Sequence, residues 1–201
     1  AGALSYDVSK GMDPRKGTLA FWVTTAADLG PKVAFGRMID IRSEEEGYYN
    51  TWMRVSLKGK GDFAFELFDG NAKSHGGNYA DGLSTWKAGQ WHHVAFVWHC
   101  LNGVRVYDNG KEVFSSWGKD RWEPLTPTLL GFGCVPGQRA QAEFWFDEAR
   151  LYAEPLEAEQ VAALAKGEDV RVERRAEDFP GILSGNPGER LRAELEGQPD
   201  L

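Results

Sequence analysis

Short strands separated by turn residues follow one another from residue 17 to about residue 152, and this succession constrains the fold more than any other feature of the sequence. Residues 17–23 show the pattern, since Leu19, Phe21 and Val23 fall on one face of an alternating segment. An alternation with a period of two is typical of a strand with one buried face. No long helical segment interrupts the series, so a βαβ fold is excluded. We predict an all-β fold of two antiparallel sheets, a β-sandwich of the jelly-roll kind.

The clearest turn signal is Asp108-Asn109-Gly110, which separates alternating residues 104–107 from 111–114. Asn-Gly favours a type I′ hairpin because both central positions need positive φ. The other strands that we predict cover residues 32–41, 51–57, 63–68, 128–132 and 143–152, and with the apolar run at residues 91–98 the total is about nine or ten.

One short C-terminal helix is predicted over residues 155–166, with Gly167 ending it. Leu156, Val161 and Leu164 lie on one stripe of this helix. Beyond it the composition shifts to charged residues, Gly and Pro. We therefore place one domain at residues 1–167 and interpret residues 168–201 as a charged linker or a strap over the surface.

Bulk composition excludes two classes of partner. The net charge of −7 argues against nucleic acid, which requires a basic face. No apolar run approaches the roughly 18 residues that a membrane span needs, so we expect no membrane insertion. The chain begins without Met and without a signal peptide, and we interpret it as a mature or excised piece of a larger protein. Cys100 and Cys134 are compatible with a disulfide or with two buried thiols.

Four segments in order carry a resemblance to a known family: GTLAFWV, AGQWHHVAFVW, VRVYDNGKEV and FDEARLYAEPLEAEQVAALAKG. Together they resemble the LamG-like, concanavalin A-like lectin and glucanase jelly rolls over roughly residues 3–167. The resemblance implies two antiparallel sheets packed face to face. Relatives of this kind include carbohydrate-binding modules, glycoside hydrolases, polysaccharide lyases and laminin-type adhesion domains, so fold alone does not fix function.

The adjacent histidines of AGQWHHVAFVW invite a metal-site hypothesis, but strand geometry opposes it. His92 and His93 point to opposite faces of a strand, so they cannot hold one metal ion together. We predict that one of them is buried and hydrogen-bonded, and that the other lies on the opposite face. Trp91 and Trp98 also fall on opposite faces, and we expect both in the core.

No catalytic pair is evident. Resembling hydrolases carry Glu-x-Asp-x-(x)-Glu on one strand, but Met38 stands where the nucleophile would be in residues 38–44. Glu143 and Asp147 share a face, yet they lie in the segment that resembles a structural strand. A lyase needs a base and a cation for a uronate, and the available residues form no recognisable motif: His75, Tyr79 and Arg105. We therefore predict no catalytic residues and no enzyme activity.

Three loop segments rich in aromatic and polar residues are the predicted ligand-binding positions, because binding residues on rigid sandwiches commonly lie in loops. The alternative is that these rings only cover the ends of the sandwich. The predicted ligand-binding residues are Trp117, Trp122, Tyr48, Tyr49, Trp52, His75, Asn78 and Tyr79.

The resemblance also implies a structural calcium ion, with Asp147 as a metal ligand and the chain near Asp7 or Asp13 supplying further oxygens. Calcium takes six to eight oxygen ligands, so donors from several segments are acceptable. The alternative for Asp147 is an ion pair with Arg150 or a turn cap.

These observations favour a non-catalytic module that binds a polysaccharide or glycan. We expect it to be tethered to further domains of a larger carbohydrate-active protein, bacterial and secreted or at the cell surface. The alternatives are a laminin-G-type adhesion or protein-interaction domain, a spacer, or a divergent glycoside hydrolase or polysaccharide lyase.

Overall fold

The computed structural model describes residues 4–28, 36–43, 51–58, 62–69, 73–79, 86–133 and 143–172, which form eleven strands and one helix. The elements are β1 (Leu4–Asp7), β2 (Lys16–Thr25), β3 (Gly36–Arg42), β4 (Thr51–Lys58), β5 (Asp62–Phe68), β6 (Ser74–Tyr79), β7 (His92–His99), β8 (Gly103–Asp108), β9 (Lys111–Ser115), β10 (Leu129–Phe132), β11 (Phe144–Tyr152) and α1 (Ala158–Leu164).

The strands form two antiparallel sheets that pack face to face. The six-stranded sheet has the order β1-β10-β3-β4-β5-β6, and the five-stranded sheet has the order β11-β2-β7-β8-β9. Phe65 of β5 and Phe96 of β7 stack across the two layers with ring centroids 5.3 Å apart. The predicted two-sheet β-sandwich is therefore confirmed.

Strand β2 shows how the alternation places each side chain. Leu19, Phe21 and Val23 lie in the core between the sheets. Ala20 lies on the outer face of the five-stranded sheet, in a second apolar cluster. The alternation predicted for residues 17–23 is therefore confirmed.

The predicted hairpin is also confirmed, because Asn109 and Gly110 have φ values of +51° and +78° between β8 and β9. Both values lie in the left-handed region that a type I′ turn requires. Gly110 also faces α1, where an added Cβ would lie 3.0 Å from Cα of Ala162.

Helix α1 covers one half of the outer face of the five-stranded sheet. Its buried Val161 and Leu164 pack with Leu156 against Ala20, Ala95, Val97 and Tyr107. The helix is shorter than predicted, because Pro155, Leu156 and Glu157 precede its first turn. Val170 and Val172 pack against the same cluster, so the fold continues past the predicted boundary at residue 167. Residues 173–201 lie outside the described residues, and their role as linker or strap stays a prediction.

Two strands were not predicted. Strand β1 pairs with β10, and β6 pairs with β5 within the stretch that the sequence analysis treats as a loop. Both are outermost strands of the six-stranded sheet. Their sequences, LSYD and SHGGNY, lack an extended apolar alternation.

Candidate functional site

The two adjacent histidines serve the fold on opposite faces of β7. His92 stacks on Trp86 with centroids 3.9 Å apart, and its Nδ1 lies 3.0 Å from Asn109 Nδ2 and 3.3 Å from Asp108 Oδ1. His93 lies on the outer face, edge-on to Trp22 at 5.4 Å. The prediction of one hydrogen-bonded His and one on the opposite face is confirmed.

His93 is buried, and its environment disfavours the charged form. Burial first, and the charge of Arg150 second, lower the pKa of His93 from 6.5 to about 4. The imidazole is therefore neutral near pH 7 and adds no positive charge to the outer face of the sheet.

Two tryptophans predicted to contact a ligand lie in the core instead. Trp52 is 0% exposed and packs against Trp98 at 5.4 Å, and Trp122 is 2% exposed. Each stands beside turn residues in the sequence, but an indole gains more by burial between the sheets than at a wet rim. Neither ring is accessible for stacking on a ligand.

His75 is also buried rather than placed in an exposed loop. Its Nε2 lies 2.9 Å from Asp69 Oδ2 and its Nδ1 lies 2.8 Å from Asp120 Oδ1. The Trp122 ring packs beside the imidazole with centroids 5.3 Å apart. These contacts join β6 to the segment that follows β9, which is a structural role.

The remaining predicted ligand-binding residues are Trp117, Tyr48, Tyr49, Asn78 and Tyr79. Trp117 is half-buried beneath the Arg105 guanidinium, 4.1 Å from the ring centroid, and packs against the helix-side cluster. Tyr48 and Tyr49 lie outside the described residues. The backbones of Asn78 and Tyr79 end β6, but their side chains lie outside the described part of the structure.

Three other tryptophans share the outer face of the five-stranded sheet, on the half that α1 leaves uncovered. In the strand register, Trp145 of β11 lies opposite Thr24 of β2, and Trp22 lies opposite His93. Trp91 immediately precedes β7, so alternation places it on the same face as His93 and beside Thr24. We call Trp22, Trp91 and Trp145 the tryptophan surface.

The tryptophan surface is unusual because its rings remain accessible. Trp145 is 54% exposed and Trp91 is 44% exposed, whereas Trp22 is half-buried. The expectation that Trp91 belongs to the core is therefore wrong, since none of the described elements covers its side of the sheet at this end. Large apolar groups that stay exposed together typically mark a binding surface.

Carboxylates alternate with the exposed ring along β11. Glu143, Trp145 and Asp147 are separated by two residues each, so they share the outer face, and all three are exposed. The backbone then bulges between Asp147 and Arg150, with Glu148 at φ +47°. This bulge keeps the Glu148 carboxylate at the edge of the surface, 3.3 Å from Arg150.

Two buried polar atoms on this face have no hydrogen-bond partner within the described ranges. They are Oγ1 of Thr24 and Nδ1 of His93. A buried group left without a partner costs about 1–3 kcal/mol, so native proteins keep few of them. Both lie among the three tryptophans in the strand register.

The alternation of residues 143–147 in the sequence predicts that Trp145 lies on the outer face of the sheet. Phe144 and Phe146 pack against the core, so Trp145 must point the other way. The predicted common face of Glu143 and Asp147 is observed, and Trp145, which is not among the predicted ligand-binding residues, lies between them on that face.

The outer face of the six-stranded sheet carries a row of charged side chains. Asp40, Arg54 and Glu66 lie opposite one another on β3, β4 and β5. Arg54 Nε lies 2.6 Å from Glu66 Oε2, and Arg42 Nε lies 2.5 Å from Asp40 Oδ1. Burial raises the pKa of Asp40, and the nearby arginines act in the opposite direction. These charges largely neutralise one another.

Neither acidic candidate has the geometry of a glycosidase pair. Asp40 is 0% exposed and held between Arg37 and Arg42. Glu143 and Asp147 are four residues apart on an extended strand, which corresponds to about 13 Å. Retaining and inverting enzymes need roughly 5–5.5 Å and 6.5–9.5 Å, respectively.

The carboxylates proposed for calcium are engaged locally. Asp147 Oδ1 accepts a hydrogen bond from its neighbour Glu148 N–H, Asp7 accepts from Ser9, and Asp13 pairs with Arg15 at 2.6 Å. The described residues include no group of three or more His, Cys, Asp or Glu side chains that could hold a metal ion. These contacts do not assemble the expected ligand set, and calcium binding through Asp147 stays a prediction.

Cys100 is buried, and Cys134 lies outside the described residues, so their pairing stays open. Within the described ranges, no helix has the length and apolar character needed to cross a membrane.

Comparisons with known proteins agree with this architecture. A family model described as the concanavalin A-like lectin/glucanases superfamily matches residues 3–162. A search of curated proteins finds no significant match.

Three solved structures illustrate the likeness. The botulinum neurotoxin serotype D ligand binding domain, in complex with N-acetylneuraminic acid, aligns with TM-score 0.64 and 17% identity over 82% of this chain and 40% of that chain. The serotype G binding domain aligns with TM-score 0.61 and 18% identity over 82% and 40%, respectively. The receptor binding domain of the C/D mosaic serotype gives 0.59 and 18% over 77% and 36%. The chain thus spans about 40% of these proteins or less, and at such identity the likeness shows the fold alone.

Proposed function

The chain belongs to the concanavalin A-like lectin/glucanases superfamily, and from its tryptophan surface we propose that it is a non-catalytic carbohydrate-binding module. The observation that carries the proposal is the grouping of Trp22, Trp91 and Trp145 on one part of a sheet face that no described element covers, with Trp91 and Trp145 exposed. We also propose that the chain is one domain of a larger protein, which is secreted or lies at the cell surface, and that it is tethered to further domains of that protein.

The chemistry of this face suits a sugar. The negative face of an indole ring attracts the slightly positive C–H groups on the flat side of a pyranose. Carboxylates such as Glu143 and Asp147 accept strong hydrogen bonds from hydroxyl groups. The Trp145 ring, which lies between the acceptors Glu143 and Asp147 on one strand, therefore offers both contacts that a sugar needs.

One related structure supports this class of ligand. The botulinum neurotoxin serotype D ligand binding domain is described in complex with N-acetylneuraminic acid, which is a sugar. The likeness is at 17% identity, so it supports sugars as the class of ligand, and it indicates neither the position of a site in this chain nor the charge of the sugar.

Protein docking is the competing function, because exposed tryptophans are also frequent at protein–protein interfaces. The carboxylates at 143 and 147 favour the sugar, since they interrupt the apolar face that a protein partner would bury. A laminin-G-type adhesion domain would bind through the same rings without needing these carboxylates.

The experiment is a glycan array followed by affinity electrophoresis in soluble polysaccharides. We expect Trp145→Ala and Trp91→Ala each to abolish retardation by the polysaccharides that the native chain binds. Tyr6→Ala is the matched control, because Tyr6 is an exposed ring (51%) on the other sheet. Retardation lost equally in Tyr6→Ala, or no glycan bound by the native chain, would refute the proposal.

A second assay addresses catalysis. The chain is incubated with each polysaccharide that it binds, and new reducing ends are measured. We expect no release of products. Release that is lost on changing Glu143→Gln or Asp147→Asn would support the divergent hydrolase or lyase instead.

A further inference from the structure

We infer that the tryptophan surface accepts an uncharged, extended oligosaccharide that crosses the strands from β11 over β2 to β7. The inference rests on the proposed function and adds the class, the minimum length and the direction of the ligand. Three features of the surface support it.

The first feature is the spacing of the exposed rings. Trp145 and Trp91 stand on either side of Thr24, in one row perpendicular to the strands. Neighbouring strands are about 4.8 Å apart, so these two positions are separated by roughly 10 Å. This separation suits stacking on different sugar units of one chain better than contact with a single unit.

The second feature is the low floor between the two rings. Thr24 has a short side chain, and its hydroxyl oxygen has no hydrogen-bond partner among the described residues. The Nδ1 atom of His93, one row further along the same face, also has none. A sugar lying between the rings would bring hydroxyl groups toward these two atoms, after a small movement of the indoles.

The third feature is the charge around the rings. Among the described residues, four carboxylates and one guanidinium lie on or beside β11, and Lys87, four residues before Trp91, is paired with Asp28. The acidic residues are Glu143, Asp147, Glu148 and Asp169, and the cation is Arg150, which pairs with Glu148 and Asp169. Like charges repel, so a uronic-acid or sulfated chain is disfavoured here, and the net charge of −7 adds to this effect.

The length test uses cello-, xylo- and manno-oligosaccharides of one to six units, titrated by calorimetry against the intact chain. In at least one series, we expect affinity to rise at least tenfold between one and four units and then to level off. Trp145→Ala and Trp91→Ala should each remove this dependence on length. Trp145→Phe should preserve it, because a smaller aromatic ring still stacks.

The charge test uses oligogalacturonates of the same lengths. We expect them to bind at least tenfold more weakly than the best neutral series at 0.05 M salt, because the Debye length there exceeds roughly 10 Å. The difference in affinity between the neutral and the acidic oligosaccharides should become smaller at 1 M salt. It should also become smaller in the double variant Asp147→Asn/Glu148→Gln. Thermal melting of every variant checks that it remains folded.

The outcomes separate the two proposals. A monosaccharide bound as tightly as the hexamer, or a preference for oligogalacturonates, overturns this inference and leaves a carbohydrate-binding module in place. Binding to no glycan overturns both. Self-association of the native chain that disappears in Trp145→Ala, without glycan binding, also overturns both and identifies the surface as a protein interface.

Discussion

The Nε2 atom of His75 lies 2.9 Å from Oδ2 of Asp69, and both residues are buried. The other ring nitrogen faces Asp120 at 2.8 Å. This bridge holds β6 against the segment that follows β9.

Replacing this imidazole is predicted to be strongly destabilising. His75→Ala removes a hydrogen-bond partner of the buried Asp69, and leaving a buried polar group without its partner costs about 1–3 kcal/mol. Asp120→Asn should cost less, because Asp120 is partly exposed. Urea denaturation measures both variants, and a His75→Ala loss within about 0.5 kcal/mol would mean that the bridge contributes little.

His93 is predicted to make the free energy of unfolding fall at acidic pH. Its pKa in the folded chain is about 4, below the ordinary value of 6.5, so the unfolded chain binds the proton more tightly. The contribution of His93 is fully present above pH 6.5 and is lost as the pH falls toward 4. At pH 4 the loss is about 3 kcal/mol.

The variant His93→Gln tests whether this pH dependence comes from His93, because the glutamine amide does not titrate. The difference in unfolding free energy between pH 7 and pH 4.5 should be smaller in the variant by about 2–3 kcal/mol. Following the ring signals of His93 by NMR gives the pKa directly. A midpoint near 6.5 in the folded protein would contradict the prediction.

Gly77 of β6 and Phe114 of β9 are in close contact across the edge of the sandwich. We predict that substitutions at these two positions have coupled effects on stability. A Cβ at Gly77 would lie 2.2 Å from Cε2 of Phe114, so the ring and the added methyl group cannot share this space. We expect Gly77→Ala to destabilise by about 1–3 kcal/mol through overpacking. Phe114→Leu in the same chain should recover part of this loss.

A double-mutant cycle measures this coupling. Favourable coupling of at least about 0.5 kcal/mol is expected for two groups in direct contact. Purely additive effects of the two changes would show that the strand moves to accommodate the methyl group.

Calcium binding through Asp147 is tested by melting the protein with excess Ca²⁺ and with chelator. A structural ion would raise Tm as its concentration exceeds its Kd, because it binds the folded state alone. Asp147→Asn should then abolish the rise. An unchanged Tm in the native chain would contradict the prediction.

Most of the fold is predictable from local patterns. Strand β2 and the hairpin at Asn109-Gly110 depend on alternation and on the φ preferences of two residues, and both signals are local. Strands β1 and β6 could not be predicted, because each forms by pairing along an outer strand of the sheet. Leu4 pairs with Phe132, a contact between residues far apart in the chain.

The tryptophan surface was only partly predictable. Trp52 and Trp122 stand beside turn-forming residues, and nothing local shows that each indole turns inward to meet Trp98 or His75. The outward direction of Trp145, by contrast, follows from the inward Phe144 and Phe146 on either side. Its exposure also depends on where α1 packs on this sheet face, which is a tertiary property.

Asn109 has a further consequence for the ageing of this protein. Its side-chain oxygen accepts from the His93 N–H, and its amide nitrogen faces His92. An asparagine before glycine is chemically prone to lose ammonia and become an acid. Such a change would exchange a donor for a negative charge beside Asp108, so slow spontaneous chemistry at this one turn would loosen the hairpin from β7.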